Sequence, residues 1–245
     1  MAAFLLMGTA KASQSFEVPP WVLAEIDEHA PILAGLLDLP REPFGDISYD
    51  PYSGVPGLLA VDGTADAERI TMHLSGDWSE PDEAKRLLLL RNLAHELAHV
   101  RQHSFGMPQE NRFFHEGFAE GMGIEAIRAC AELCQDRHRA LLRSVEQSCA
   151  LALRDGPLLT TESWESVYGC GGVFFFRAGE ASGKGAKGLY QDFAALGERS
   201  PEAFLGLLEE KAGKAYALRA ARFLNDDHRL ARPRYVLRRL RAGRP

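Results

Sequence analysis

The sequence predicts an α+β fold, with a small N-terminal lobe over 13–106 that holds a β-sheet and one long helix, followed by a mostly helical lobe over 107–245. Three observations carry that prediction. ERITMHLSGDW alternates, with Ile70, Met72 and Leu74 on one side and Thr71, His73 and Ser75 on the other, the period of a half-buried strand. EAKRLLLLRNLAHELAHVRQH runs from Glu83 to His103 without a glycine or proline, and its apolar run Leu87–Leu90 marks a central core helix. Downstream of Asn111 the segments read as helix after helix.

Taken in order, residues 13–60 are broken by Pro19, Pro20, Pro31, Pro40, Pro43, Pro51 and Pro56, so only short elements fit, among them a helix over PPWVLAEIDEHAPILAGLL. GLLAVDG is the expected hairpin partner of the strand at Ile70–Leu74. Ser79 is the expected cap of the long helix, with Pro81 in its first turn, and Gly106 and Pro108 stop it. A second helix begins near Asn111 and carries RFFHEGFAEGMGIEAIRACAELC, with more helix to about Arg154 after a break. Gly117, Gly121 and Gly123 cost a helix about 1 kcal/mol each relative to alanine, so a neighbouring backbone should approach closely there. TTESWESVYGCGGVFFF, KGLYQDFAALGE, SPEAFLGLLEEKAG and YALRAARFLND read as further helices, with Thr161 and Ser200 as caps and Phe174–Phe176 as packing.

Composition narrows the function classes. A hydrophobic content of 46% supplies a core, and a net charge of −6 gives no global case for a nucleic-acid partner. One local exception is the tail HRLARPRYVLRRLRAGRP, whose arginines between Arg229 and Arg244 read as a solvated helix end or as a contact for an acidic partner. No apolar run reaches the ~18 residues of a membrane span. Residues 1–12, MAAFLLMGTAKA, read either as an atypical export signal or as a leader that stays attached. Cys130, Cys134, Cys149 and Cys170 form two disulfides or remain four buried thiols. Helical spacing disfavours a bond between Cys130 and Cys134, so each is expected to reach Cys149 or Cys170. Disulfides together with an export signal favour a periplasmic or secreted setting over a cytoplasmic one.

The chemistry concentrates in NLAHELAHVRQH and FFHEGFAEG. At 100° per residue, His95 and His99 lie about 40° apart around the helix and one turn apart along it, so their imidazoles converge on one point. Neutral imidazoles suit Zn²⁺, which in hydrolytic sites takes three protein ligands and keeps a fourth position open. Glu96 lies at the margin of that face, placed to act as general base. An antiparallel hairpin about Gly106 and Pro108 brings Glu116 opposite His99 as third ligand. Glu120, one turn on, orients an imidazole through its other ring nitrogen. His103 would stretch three histidines over about 12 Å, too far for one ion. His115 adjoins Glu116 but points to a different side. Phe105 stands six residues beyond His99, which excludes the metzincin pattern.

HELAHV followed by FFHEGFAEG resembles the gluzincin metallopeptidases, especially the peptidase MA-like families and the alanyl-aminopeptidase group. The likeness covers residues 70 to about 180 and is strongest over 92–121. It implies a zincin-like fold, one zinc on His95, His99 and Glu116, and Glu96 as base. It also implies that Tyr168, in a Tyr-x-x-Gly pattern with Gly171, stabilises the oxyanion. The Gly-x-Met-Glu-Asn segment that binds a free amine in the aminopeptidase group has no counterpart before Ile70.

The expected function is therefore zinc-dependent hydrolysis of a peptide or protein substrate, with the strand Ile70–Leu74 pairing to an extended chain. The competing expectations are a catalytically inactive binding module stabilised by zinc, and a metal-free helical adaptor that uses the arginine tail. GEASGKGAKG lacks the spacing of a phosphate loop and reads as a flexible turn, and no GxSxG elbow occurs.

Overall fold

A computed structural model describes residues 16–39, 43–106, 110–160 and 163–241. The leader over 1–12, Pro108, Thr161 and Arg244 lie outside these residues.

The chain opens with α1 (Pro20–Leu36), which tolerates Pro31 and buries Val22, Ile26, Ala30 and Leu33 along one stripe. Three strands follow: β1 (Phe44–Asp50), β2 (Ala60–Ala65) and β3 (Ile70–Ser75), in the order β1-β3-β2. The expected hairpin is present, with β2 antiparallel to β3 from Ala60↔Ser75 to Ala65↔Ile70. β1 was not legible, because Pro43 and Pro51 mark its segment as broken; they flank the strand instead, and it pairs parallel to β3. This pairing corrects the expectation that β3 receives an extended chain. Ile70–Leu74 is the central strand, hydrogen-bonded on both sides, and β2 is an outer one.

The long helix is α2 (Glu83–His103). Its cap is Asp82, whose Oδ1 accepts from the Lys85 amide at 2.8 Å, not Ser79. Ser79 is engaged by Asp77, which accepts from both its amide and its hydroxyl, so Pro81 precedes the helix. α3 (Arg112–Ala129) is capped by Asn111, which accepts from the Phe114 amide at 3.1 Å. The break before α4 (Ala131–Ala152) falls at Cys130. Buried Glu25 pairs with Arg86 and Arg137, tying α1 to both α2 and α4.

α3 is wedged between α2 and α5 (Gly171–Ser182). A Cβ on Gly117 would stand 2.8 Å from the Gly171 Cα, and one on Gly123 would stand 3.3 Å from the Ala94 backbone, so close approach offsets the cost of helical glycine. Behind α3, Phe118 stacks on Phe175 with centroids 3.8 Å apart, and Phe114, Phe193 and Phe204 pack around them. Phe174–Phe176 are buried as expected.

A π-helical turn (Glu165–Cys170) leads into α5. α6 (Gly185–Ala194) follows across a tight turn in which Gly183 has φ +70°, where GEASGKGAKG suggested a loose one. The rest is α7 (Pro201–Ala212), capped by Ser200 at 3.2 Å from the Ala203 amide, then α8 (Lys214–Asn225) and α9 (Pro233–Leu240). Among the described residues, no helix is long and apolar enough to cross a membrane.

The disulfides join Cys130 to Cys134 and Cys149 to Cys170, which corrects the expected connectivity. Cys130 sits at the helix break rather than within a continuous helix, and this frees it to meet Cys134 with the Cα atoms 5.5 Å apart. Closing the 21-residue separation between Cys149 and Cys170 should contribute about 3 kcal/mol by restricting the unfolded chain. We expect Cys149→Ser/Cys170→Ser to lower the urea midpoint more than Cys130→Ser/Cys134→Ser, which closes a much shorter loop.

Candidate metal centre

His95 and His99 face α3 from α2, and Glu116 answers from the first turns of α3. The His95 and His99 Nε2 atoms are 2.9 Å apart, and Glu116 Oε2 is 3.2 Å from each. Ligand atoms bound to zinc at ~2.0–2.1 Å in a tetrahedron stand about 3.3 Å from one another, so the three atoms fit the edges of such a site. Each offers a lone pair to the same point, and the group is among those able to hold a metal ion.

The imidazoles are held from behind. His99 Nδ1 lies 2.6 Å from Gln102 Oε1, while the Gln102 amide donates to the His115 carbonyl at 2.8 Å, bridging α2 to α3. His95 Nδ1 lies 3.2 Å from Glu120 Oε2, an ion-pair distance without the alignment of a good hydrogen bond. Glu120 accepts from Arg91 Nε at 2.7 Å. Burial opposes the ionised form of Glu120, but the Arg91 charge and His95 hold its pKa below the usual range.

The cluster splits the two histidines electrically. Burial opposes protonation of His95, yet Glu116 and Glu120 outweigh it and push its pKa up to about 9. Burial and the charge of His95 bring His99 down to about 4. Glu116 is lowered, its burial being overcome by hydrogen bonds to both histidines. Three lone pairs thus share about one proton, which a cation would displace.

Glu96 and Tyr168 complete the surroundings. Glu96 is buried, and that burial raises its pKa, against the opposing charge of His95. A Cβ on Gly63 of β2 would stand 2.4 Å from the Glu96 carboxyl carbon, so a side chain here would displace that carboxylate. Tyr168 comes from the π-helical turn, its ring 5.4 Å from that of His95 and stacked on Trp164 at 3.8 Å. Burial raises its phenol to about 12, with Glu116 adding to the shift and Arg112 opposing it. The Cys149–Cys170 bond fastens this turn to α4. His95, Glu96, Glu120 and Tyr168 line one cavity of about 370 Å³ together with Leu59–Gly63 and Trp164.

Every residue singled out in the sequence for this chemistry is thus brought to one place. His103 stays out of the cluster. His115, expected to point elsewhere, lies beside His99 with ring centroids 4.5 Å apart, although it offers no atom to the three-atom group. Sequence reasoning missed Gln102, Arg91 and Gly63. Gln102 and Arg91 stand three residues after His99 and four before His95, so helical spacing could have found them. Gly63 carried no local signal.

Compared with protein-family profiles, curated proteins and solved structures, the chain matches none.

With His95 raised to about 9 and His99 lowered to about 4, a zinc ion taking the three atoms would displace one proton between about pH 5 and 8. Affinity should therefore rise about tenfold per pH unit across that window, measured by titration calorimetry in buffers of different ionisation enthalpy. Glu120→Gln should weaken zinc binding about 10–100-fold by releasing the His95 ring.

Proposed function

We propose that the protein is a zinc-dependent peptidase of zincin-like architecture, in which His95, His99 and Glu116 hold the ion and Glu96 acts as general base. The observation that carries the reading is the convergence of three lone-pair atoms at 2.9–3.2 Å, one of them from His95, which lines the cavity beside Glu96 and Tyr168. A bound zinc ion supplies a Lewis acid that polarises a carbonyl and acidifies water.

The chain's own groups do the rest. Glu96, its pKa raised by burial, takes a proton from the attacking water and passes it to the leaving amine. Tyr168 is protonated at neutral pH like any tyrosine, and burial shifts its pKa further from neutrality, so its hydroxyl donates to the developing oxyanion. Glu120 and Arg91 hold the His95 ring from behind, on the side away from Glu116, leaving the side that faces Glu116 to serve as a ligand.

Substrate orientation falls to β2. Among the described residues it pairs only with β3, and Leu59–Gly63 line the cavity that holds Glu96. An extended peptide adds to that outer edge through backbone hydrogen bonds, with its carbonyl carried toward Glu96. Trp164, about half exposed, lines the same cavity and offers it an apolar surface.

Digestion of a peptide library tests the proposal. Glu96→Gln should keep one zinc per chain and lose roughly 10²–10⁴-fold in turnover. Tyr168→Phe should lose about 10²-fold in kcat with little change in KM. Gly63→Ala should lower kcat as its methyl group displaces Glu96. If Glu96→Gln cleaves as fast as the parent, the mechanism is wrong; if the parent binds zinc and cleaves nothing, the inactive zinc-stabilised module is the better account.

A further inference from the structure

The arginine-rich end of the chain forms part of a built groove. α9 buries Val236, Leu237 and Leu240, and this anchoring turns its other residues outward. Arg234 and Arg238, one turn apart on α9, and Arg241 just past its end line a cavity of about 380 Å³ together with Arg143 and Gln147 of α4. Ala150 and Leu237 give it apolar surface.

The charge in this groove is unbalanced. Its single carboxylate, Glu146, is already engaged by Arg177 at 3.0 Å and Arg241 at 3.4 Å. Among the described residues, Arg143, Arg234 and Arg238 pair with no carboxylate, and all three are exposed. Four guanidinium groups thus converge in a chain whose net charge is −6. Separate surface ion pairs are worth little, but several guanidinium groups aimed into one concavity act together and match carboxylates two bonds at a time.

We propose that the groove between α4 and α9 binds a short acidic segment of a protein partner. Shape and range select that partner. A bilayer presents a flat surface, whereas these arginines line a concavity. A nucleic acid carries charge over tens of ångströms and meets the repulsion of an acidic molecule; a short segment feels the local field within a Debye length of about 8 Å. α9 is about 12 Å long at 1.5 Å per residue, room for three or four extended residues bearing carboxylates. The groove's role is independent of the zinc proposal.

The test uses the full chain carrying Glu96→Gln, so that no probe is consumed, and follows the anisotropy of a fluorescein-labelled octapeptide rich in glutamate. We expect saturable binding that weakens as salt rises, with none to the glutamine counterpart of the same length. Arg234→Glu/Arg238→Glu should weaken it about tenfold or more. Should that double variant not fold, as judged by circular dichroism, Arg143→Glu on α4 reads the same contact. The proposal is overturned if the charge-reversed protein binds as its parent does, or if phosphatidylserine vesicles or single-stranded DNA bind more tightly than the peptide. Zinc content and peptidase activity of the parent enter neither outcome, so either reading can fail alone.

Discussion

The structure depends on the approach of α3 to α2. Two histidines one turn apart on a helix define a direction, but a three-sided site needs a second backbone close enough for a short carboxylate side chain to arrive. Gly123 allows that approach by resting on the Ala94–His95 backbone, one residue away from the first imidazole. On its far side α3 is pressed forward by α5, with Gly117 against Gly171 and a stack of phenylalanines behind. Glycines that weaken the helix locally are what let it carry Glu116 into place.

Burying so many ionisable groups together is costly unless each has a partner. The solution is a relay from solvent inward: partly exposed Arg91 steadies buried Glu120, Glu120 faces His95, and His95 shares Glu116 with His99. Gln102 closes the other end by holding His99 and the α3 backbone at once. Alternating charge along this line keeps the carboxylates ionised and leaves the imidazoles to differ in proton affinity.

The sheet contributes through its order. Because β1 adds in parallel beside β3, among the described residues only β2 keeps a free edge next to the cavity, where its backbone borders Glu96. Had β1 been absent, β3 would have had an open side, as the hairpin alone suggested. On the opposite wall, Tyr168 reaches His95 because a π-helical turn, tied by Cys170 to α4, projects it there.

How much of this was legible follows from the range of each interaction. Local terms were enough for the α2 and α3 helices, the β2–β3 hairpin, the start of α3 near Asn111 and the pairing of His95 with His99, because period and turn chemistry act over a few residues. They sufficed even for Glu116 and Glu120, since a short connection leaves two long helices little choice but to lie antiparallel. Tertiary structure alone decided the rest. β1 exists because β3 offers it hydrogen bonds, Cys130 reaches Cys134 because the helix breaks between α3 and α4, and Gly63 leaves open the space that a carboxylate from another element fills. No window of sequence contains those partners, so no local pattern could announce them.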